Sequence, residues 1–160
     1  MLKKLRTINS NLDKFDLAIL KTISTAGRIS VTELADQIGL SKTPTQSRLK
    51  RLENEGYIRG YRAVLDPILL GMDHIAFVEV KLSDTRERAL AEFNKAVKAI
   101  PEVEQVHLIA GNFDYLLKVR THNMNDYRQV LAEQISTLPH LSHTSTYVAM
   151  QAIVENAPLS

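Results

Sequence analysis

The apolar positions of this chain change period near residue 72, and that change separates two folding patterns. Before it, Phe15, Leu17, Ile19, Leu20 and Ile23 recur at helical spacing behind a candidate N-cap, Asp13, and run to Gly27. Ser30 and Glu33 then form an S-x-x-E capping box ahead of Leu34, Ala35 and Ile38, with Gly39 as the stop. Ser41 opens a third helix, S-K-T-P-T-Q-S-R-L-K-R-L, in which the Ser41 hydroxyl is expected to cap and Pro44 sits in the first turn, where its missing N–H has no intrahelical partner to lose. On a helical wheel Leu49, Leu52 and Thr45 share one side, while Thr43, Ser47, Lys50, Arg51 and Asn54 lie opposite. Gly56 closes this helix, and Y-I-R-G-Y-R-A-V-L-D-P reads as a strand or short wing followed by a hinge.

Beyond residue 72, Ala76, Val78, Val80 and Leu82 alternate with Ile75, Phe77, Glu79 and Lys81, as in a strand with one apolar face. Leu90, Phe93, Val97 and Ile100 keep helical spacing up to Pro101. Val103–Ala110 and Phe113–Arg120 are strand-like about a Gly111-Asn112 turn; Tyr127, Leu131, Gln134 or Ile135, and Leu138 mark another helix, and Thr144–Val154 a last strand. The half repeats itself at an offset of 38, with Ile100-Pro101-Glu102-Val103 matching Leu138-Pro139-His140-Leu141, Phe93 matching Leu131 and Phe77 matching Tyr115. Two such units predict β-α-β-β-α-β. The chain is therefore expected to be α+β: an N-terminal winged helix-turn-helix (three helices plus a short strand) over residues 1–62, joined to a ferredoxin-like βαββαβ domain over 63–160. The sheet face away from the helices carries Ile75, Phe77, Ile109 and Leu116, which predicts that it packs on a second copy as a homo-dimer.

Net charge sharpens the division. Residues 1–62 hold twelve Lys/Arg against six Asp/Glu, and residues 63–160 eight against twelve, so the first part suits a polyanion and the second a protein or small molecule. The chain has no Cys, which excludes a disulfide framework and thiolate metal sites. The basic start M-L-K-K-L-R is not followed by an apolar h-region, and no run of about 18 apolar residues occurs, so a cytoplasmic protein without membrane contact is expected.

The third helix carries the leading functional signal. Hydroxyls, an amide and cations on one exposed face are the side chains that read base edges and hold phosphates in double-stranded DNA. Thr43, Gln46, Ser47 and Lys50 are the candidates for base edges, Lys42 is a further DNA-facing cation, and Arg48, Arg51, Arg59 and Arg62 are the candidates for phosphates. The alternative for such a helix is a solvated face with internal ion pairs. Gly111-Asn112-Phe113-Asp114 reads either as an ordinary hairpin turn, Gly111 supplying positive φ, or as a loop holding a small amino acid beside Leu108 and Met124. The five histidines show no metal-ligand spacing, and no nucleophile motif, phosphate loop or dinucleotide fingerprint occurs, so neither an enzyme, a metal nor a resident cofactor is expected. A sensor module acting through protein partners instead of DNA is the rival reading.

Several motifs together resemble the leucine-responsive and asparagine-linked (Lrp/AsnC, feast/famine) transcription regulators: L-D-K-F-D-L-A-I-L, G-R-I-S-V-T-E-L-A-D-Q-I-G-L-S-K-T-P, R-L-K-R-L-E-N-E-G-Y-I-R-G-Y, G-N-F-D-Y-L-L-K-V and T-Y-V-A-M. The resemblance covers nearly the whole chain. It implies a DNA-binding regulator of amino-acid metabolism whose C-terminal domains dimerise and often assemble four dimers into an octamer. It also implies an amino-acid effector (leucine, proline or another) bound between dimers at Leu108, Asp114, Met124, Tyr147, Val148 and Ala149, with Gly111 in the adjoining loop. Two departures bear on specificity: S-K-T-P-T stands where members often have S-P-T-P-C, and Ala149 replaces a larger apolar residue of some relatives.

Overall fold

The computed structural model describes residues 12–155, so the basic start of the chain lies outside the described residues. Two compact units result, residues 12–64 with 154–155, and residues 65–153.

In the first unit α1 (Lys14–Thr25), α2 (Val31–Ile38) and α3 (Lys42–Asn54) enclose a small core of Ile19, Leu34 and Leu52, with Leu20, Ile23, Ile38, Leu49 and Ile58 packed against it. Local chemistry defines the ends. Asp13 caps α1 in a reciprocal box with Asp16, and Ser30 and Glu33 do the same for α2, Ser30 Oγ accepting from the Glu33 N–H at 3.2 Å and Glu33 Oε2 from the Ser30 N–H at 3.0 Å. Gly39 takes the left-handed conformation, φ 72°, that turns α2 into α3. Ser30→Ala is expected to lower the unfolding free energy of this unit by about 1 kcal/mol, measurable as a shifted urea midpoint with unchanged m-value.

Two expectations for this unit need correction. Ser41 is the N-cap residue of α3, but its side chain makes no capping bond. Pro44 occupies the third helical position, where a capped helix presents the N–H that the cap would accept, and proline has none. Residues 57–66 form no strand; the segment is irregular, because a single extended stretch finds no ladder partner within the described chain. Asp66 then nucleates a turn, its Oδ1 accepting from the N–H of Ile68 at 2.9 Å and of Leu69 at 3.2 Å.

The second unit is β1 (His74–Leu82), α4 (Glu87–Val97), β2 (Val103–Leu108), β3 (Tyr115–Thr121), α5 (Met124–Val130) continued by a π-helical turn (Leu131–Ile135), and β4 (Leu141–Val148). The sheet is antiparallel in the order β2-β3-β1-β4, the ferredoxin-like arrangement. Ala76, Val78, Val80 and Leu82 of β1, Leu117 and Val119 of β3, and Phe93, Val97, Tyr127, Val130 and Ile135 of the helices form its core. The π turn resolves the ambiguous fourth helix: Ser136 N–H donates to the Leu131 carbonyl five residues back at 2.8 Å, and this extra residue per turn brings Ile135, not Gln134, into the core. The 38-residue repeat holds at Ile100 and Leu138, both buried at the ends of their helices. It fails at Phe77 and Tyr115, which lie on opposite sheet faces. The open face is also less apolar than expected. Ile75 is already buried, and Glu104 holds Lys118 and Arg120 across it at 3.0 and 2.5 Å, leaving Phe77 and Tyr147, paired in register, as the exposed aromatic patch. Among the described residues no helix is long and apolar enough to cross a membrane.

Candidate DNA-binding face and effector positions

Helix α3 is seated by Thr45 and Leu52, both fully buried, and by Leu49. Thr45 satisfies its hydroxyl inside the helix, donating to the Ser41 carbonyl at 3.0 Å. The opposite side is solvent-facing: Lys42, Thr43, Gln46, Ser47, Lys50 and Asn54 are all exposed, as are Arg59 and Arg62 beyond the helix. Tyr61 returns to this helix, its hydroxyl donating to Glu53 Oε1 at 2.8 Å, and burial together with the Glu53 carboxylate pushes its pKa up to about 12.

Arg48 and Arg51 are placed differently from the rest. Arg48 Nη1 lies 2.7 Å from Asp13 Oδ2 and 2.8 Å from Asp16 Oδ1, and Arg51 Nη2 lies 2.6 Å from Asp16 Oδ2. Both expected phosphate contacts thus have carboxylate partners on α1. Asp16 is only 1% exposed. Burial alone would raise its pKa, but the ion pair with Arg51 and the hydrogen bonds from the Asp13 N–H and Arg48 outweigh this and hold it at about 2. Asp16 is not among the residues that the sequence singles out. Its signal was positional, since Asp16 stands three, four and seven residues before Ile19, Leu20 and Ile23, on the apolar stripe of α1 where an unpaired carboxylate would be costly.

The seven positions expected to take an effector fall into two groups at opposite ends of the sheet. Leu108, Gly111 and Asp114 belong to the β2–β3 end, where Leu108 pairs with Tyr115. Met124 begins α5 immediately after β3, and Tyr147, Val148 and Ala149 end β4 beside the start of β1, where Val148 pairs with Ala76 and the Ala149 N–H donates to the Ile75 carbonyl at 2.9 Å. Along β1, Val80 faces Tyr115 and Ala76 faces Val148, so about 13 Å of strand separates the groups at roughly 3.3 Å per residue. Leu108, Met124, Tyr147 and Val148 are all exposed.

The β2–β3 connection is a six-residue loop, Ile109–Asp114, longer than the two-residue turn expected. Gly111 does not adopt positive φ, and a Cβ there would meet Ile109 Cγ2 at an ordinary 3.5 Å, so the backbone does not demand glycine. Asp114 has a job within its own chain, accepting from the Leu82 N–H at 2.8 Å with Lys81 Nζ at 3.4 Å. A cleft of about 410 Å³ bounded by Glu102, Arg120, His122 and Gln129 includes none of the seven.

The histidines have local partners: His74 contacts Thr121 Oγ1 at 2.9 Å, His122 the Gly71 carbonyl at 3.0 Å and His140 Glu92 Oε2 at 2.8 Å. Among the described residues no three His, Asp or Glu converge as metal ligands.

Known proteins share both units. Residues 12–59 match the winged helix-turn-helix DNA-binding model, and residues 75–159 the Lrp/AsnC ligand-binding domain. The chain is 63% identical over 145 residues to a proline dehydrogenase transcriptional activator of Rhizobium radiobacter, covering 91% of this chain and 93% of that protein. It is 40% identical over 146 residues to the leucine-responsive regulatory protein of Escherichia coli, covering 91% and 89%. A transcriptional regulator from Neisseria meningitidis, solved as an L-Met complex, superposes with a TM-score of 0.86 at 28% identity, covering 93% of this chain and 96% of that one.

Proposed function

The chain belongs to the Lrp/AsnC family of DNA-binding transcription regulators, and we propose that it controls amino-acid catabolism, proline breakdown foremost, in response to an amino acid bound between its own copies. It acts in the cytoplasm on double-stranded DNA, through residues 1–62, while residues 63–160 assemble the copies and take the effector.

The observation that carries the DNA reading is the division of α3 into a buried seam of Thr45, Leu49 and Leu52 and an exposed face of Lys42, Thr43, Gln46, Ser47 and Lys50. A dimer presents two such faces to successive major grooves of a pseudo-palindromic site. Gln46, Ser47, Thr43 and Lys50 meet base edges; Lys42, Arg59 and Arg62 hold phosphates. Lys50→Ala is expected to weaken binding about 10- to 100-fold on a duplex enriched from random-sequence DNA by the wild type, and less than about threefold on an unselected duplex. Equal losses on both would move Lys50 to the phosphate backbone.

The effector reading rests on the separation of its two groups of residues. A free amino acid spans well under the ~13 Å between the sheet ends, so Leu108 and Asp114 of one copy meet Met124, Tyr147 and Val148 of another. Phe77 and Tyr147 supply the face on which a pair forms. Contacts at the sheet ends extend beyond that pair and favour a closed ring such as an octamer. Thermal-shift screening of the twenty amino acids, followed by light scattering with the strongest hit, tests this reading. A hit that changes assembly supports it, and a hit that binds a chain held monomeric contradicts it.

A further inference from the structure

Arg48 and Arg51 lie one turn apart on α3, so a single carboxylate beneath them can reach both. Asp16 is that carboxylate. One oxygen meets Arg48 at 2.8 Å and the other Arg51 at 2.6 Å, and the second oxygen also accepts from the Asp13 N–H at 3.0 Å. Asp13 adds a second bridge to Arg48 at 2.7 Å, and the Arg48 guanidinium stands 5.6 Å from the centre of the Phe15 ring. The N-cap residue Asp13 and two residues of the first turn of α1, Phe15 and Asp16, therefore grip α3.

This grip acts on helix rotation. At about 100° per residue, and taking Lys50 as zero, Gln46, Thr43, Asn54 and Ser47 lie within about 60°, whereas Arg51 and Arg48 lie at about 100° and 160°. The buried Thr45, Leu49 and Leu52 occupy the other flank. The apolar contacts hold one side of α3 and the ion pairs the other, leaving the reading face between them. Apolar packing tolerates small rotations, since side chains can repack; two ion pairs sharing one carboxylate tolerate them poorly, because both distances must hold together.

Resting on the DNA-binding reading above, we propose that Asp16 is a positioning residue for DNA recognition: it holds Arg48 and Arg51 against α1, so that these arginines set the rotation of α3 and do not neutralise phosphates. The N-terminal unit thus offers DNA fewer cations than its sequence counts. Discrimination between sequences depends on a carboxylate that never touches DNA.

The test uses the full chain, a duplex enriched from random-sequence DNA by the wild type, and an unselected duplex of the same length. For Arg51→Gln the slope of log K against log salt is expected to match the wild type, while the ratio of selected to unselected affinity falls at least about tenfold. A phosphate contact would flatten the slope by about 0.9, and that result overturns the proposal. Asp16→Asn is expected to steepen the slope by about one or more on unselected DNA, as freed guanidinium groups reach phosphates, and to lose the same discrimination. A merely structural role would lower affinity without steepening the slope, and an Asp16→Asn slope at or below the wild-type value overturns the proposal. If Asp16→Asn does not fold, Asp16→Asn/Arg51→Gln, which removes the buried charge with its partner, is expected to discriminate as Arg51→Gln alone does; a further loss, adding to that of the single change, overturns the coupling. A wild type that enriches no duplex defeats the DNA-binding reading and the role of Asp16 with it. An enriched duplex with a flattened Arg51→Gln slope defeats the role alone.

Discussion

Phe93→Ala is expected to lower the stability of the C-terminal unit by about 4 kcal/mol. Phe93 is 0% exposed, and its ring centre is 4.5 Å from that of Tyr115, so truncation removes the packing between α4 and β3 at the middle of the sheet. The surrounding residues come from regular strands and a helix whose backbones cannot close the cavity. Small domains have total stabilities of about 5–15 kcal/mol, so the variant sits near its folding threshold at 37 °C. Urea unfolding followed by far-ultraviolet circular dichroism measures the effect; a loss under about 1 kcal/mol would mean that Phe93 is not the centre of this core. On the proposal that this unit assembles the copies, the variant is also expected to lose DNA affinity although α3 is untouched.

Asp16→Ala is expected to destabilise the N-terminal unit by about 3 kcal/mol at pH 7, the low end for breaking a buried ion pair, because Arg48 and Arg51 are partly exposed and can turn toward water. The same group predicts a pH dependence with a definite sign. The Asp16 pKa is lowered from 3.8 to about 2 by its arginines and the Asp13 N–H. The folded protein therefore binds fewer protons there than the unfolded chain does. This contribution, about 2 kcal/mol by linkage, is fully present above about pH 5 and disappears as the pH falls from about 4 to 2. Unfolding curves of wild type and Asp16→Ala should converge over that window. Curves that stay parallel from pH 7 to 2 would mean that Asp16 is not held ionised by the arginines.

Much of this architecture was legible because its signals are local. Asp13, the Ser30–Glu33 box and Gly39 act within one turn of their own helices, and the two-residue alternation of β1 states its buried face directly. What escaped reading depends on residues far apart in sequence. Asp16 and Arg48 are 32 positions apart, and only the packing of α1 on α3 makes one the partner of the other. The wheel of α3 placed Arg51 correctly on the polar side but carried no information about what α1 presents there. Likewise the strand expected after Gly56 had the right composition and no partner. Phe77 and Tyr115 matched by offset and yet face opposite ways, since one residue of register inverts a strand. The resemblance named the expected effector positions one by one, but their separation along β1 is a property of the sheet register alone.

On the proposed function, an amino acid held at the sheet ends and DNA held by α3 bias one shared arrangement of copies. Coupling of this kind is reciprocal. The most direct measurement is calorimetric titration of the best-binding amino acid into the full-length protein, alone and saturated with the enriched duplex. Dissociation constants are expected to differ by about 5- to 150-fold, a coupling of about 1–3 kcal/mol, with the same factor recovered when the duplex is titrated with and without the amino acid. Equal amino-acid affinity in the presence and absence of the duplex would contradict it.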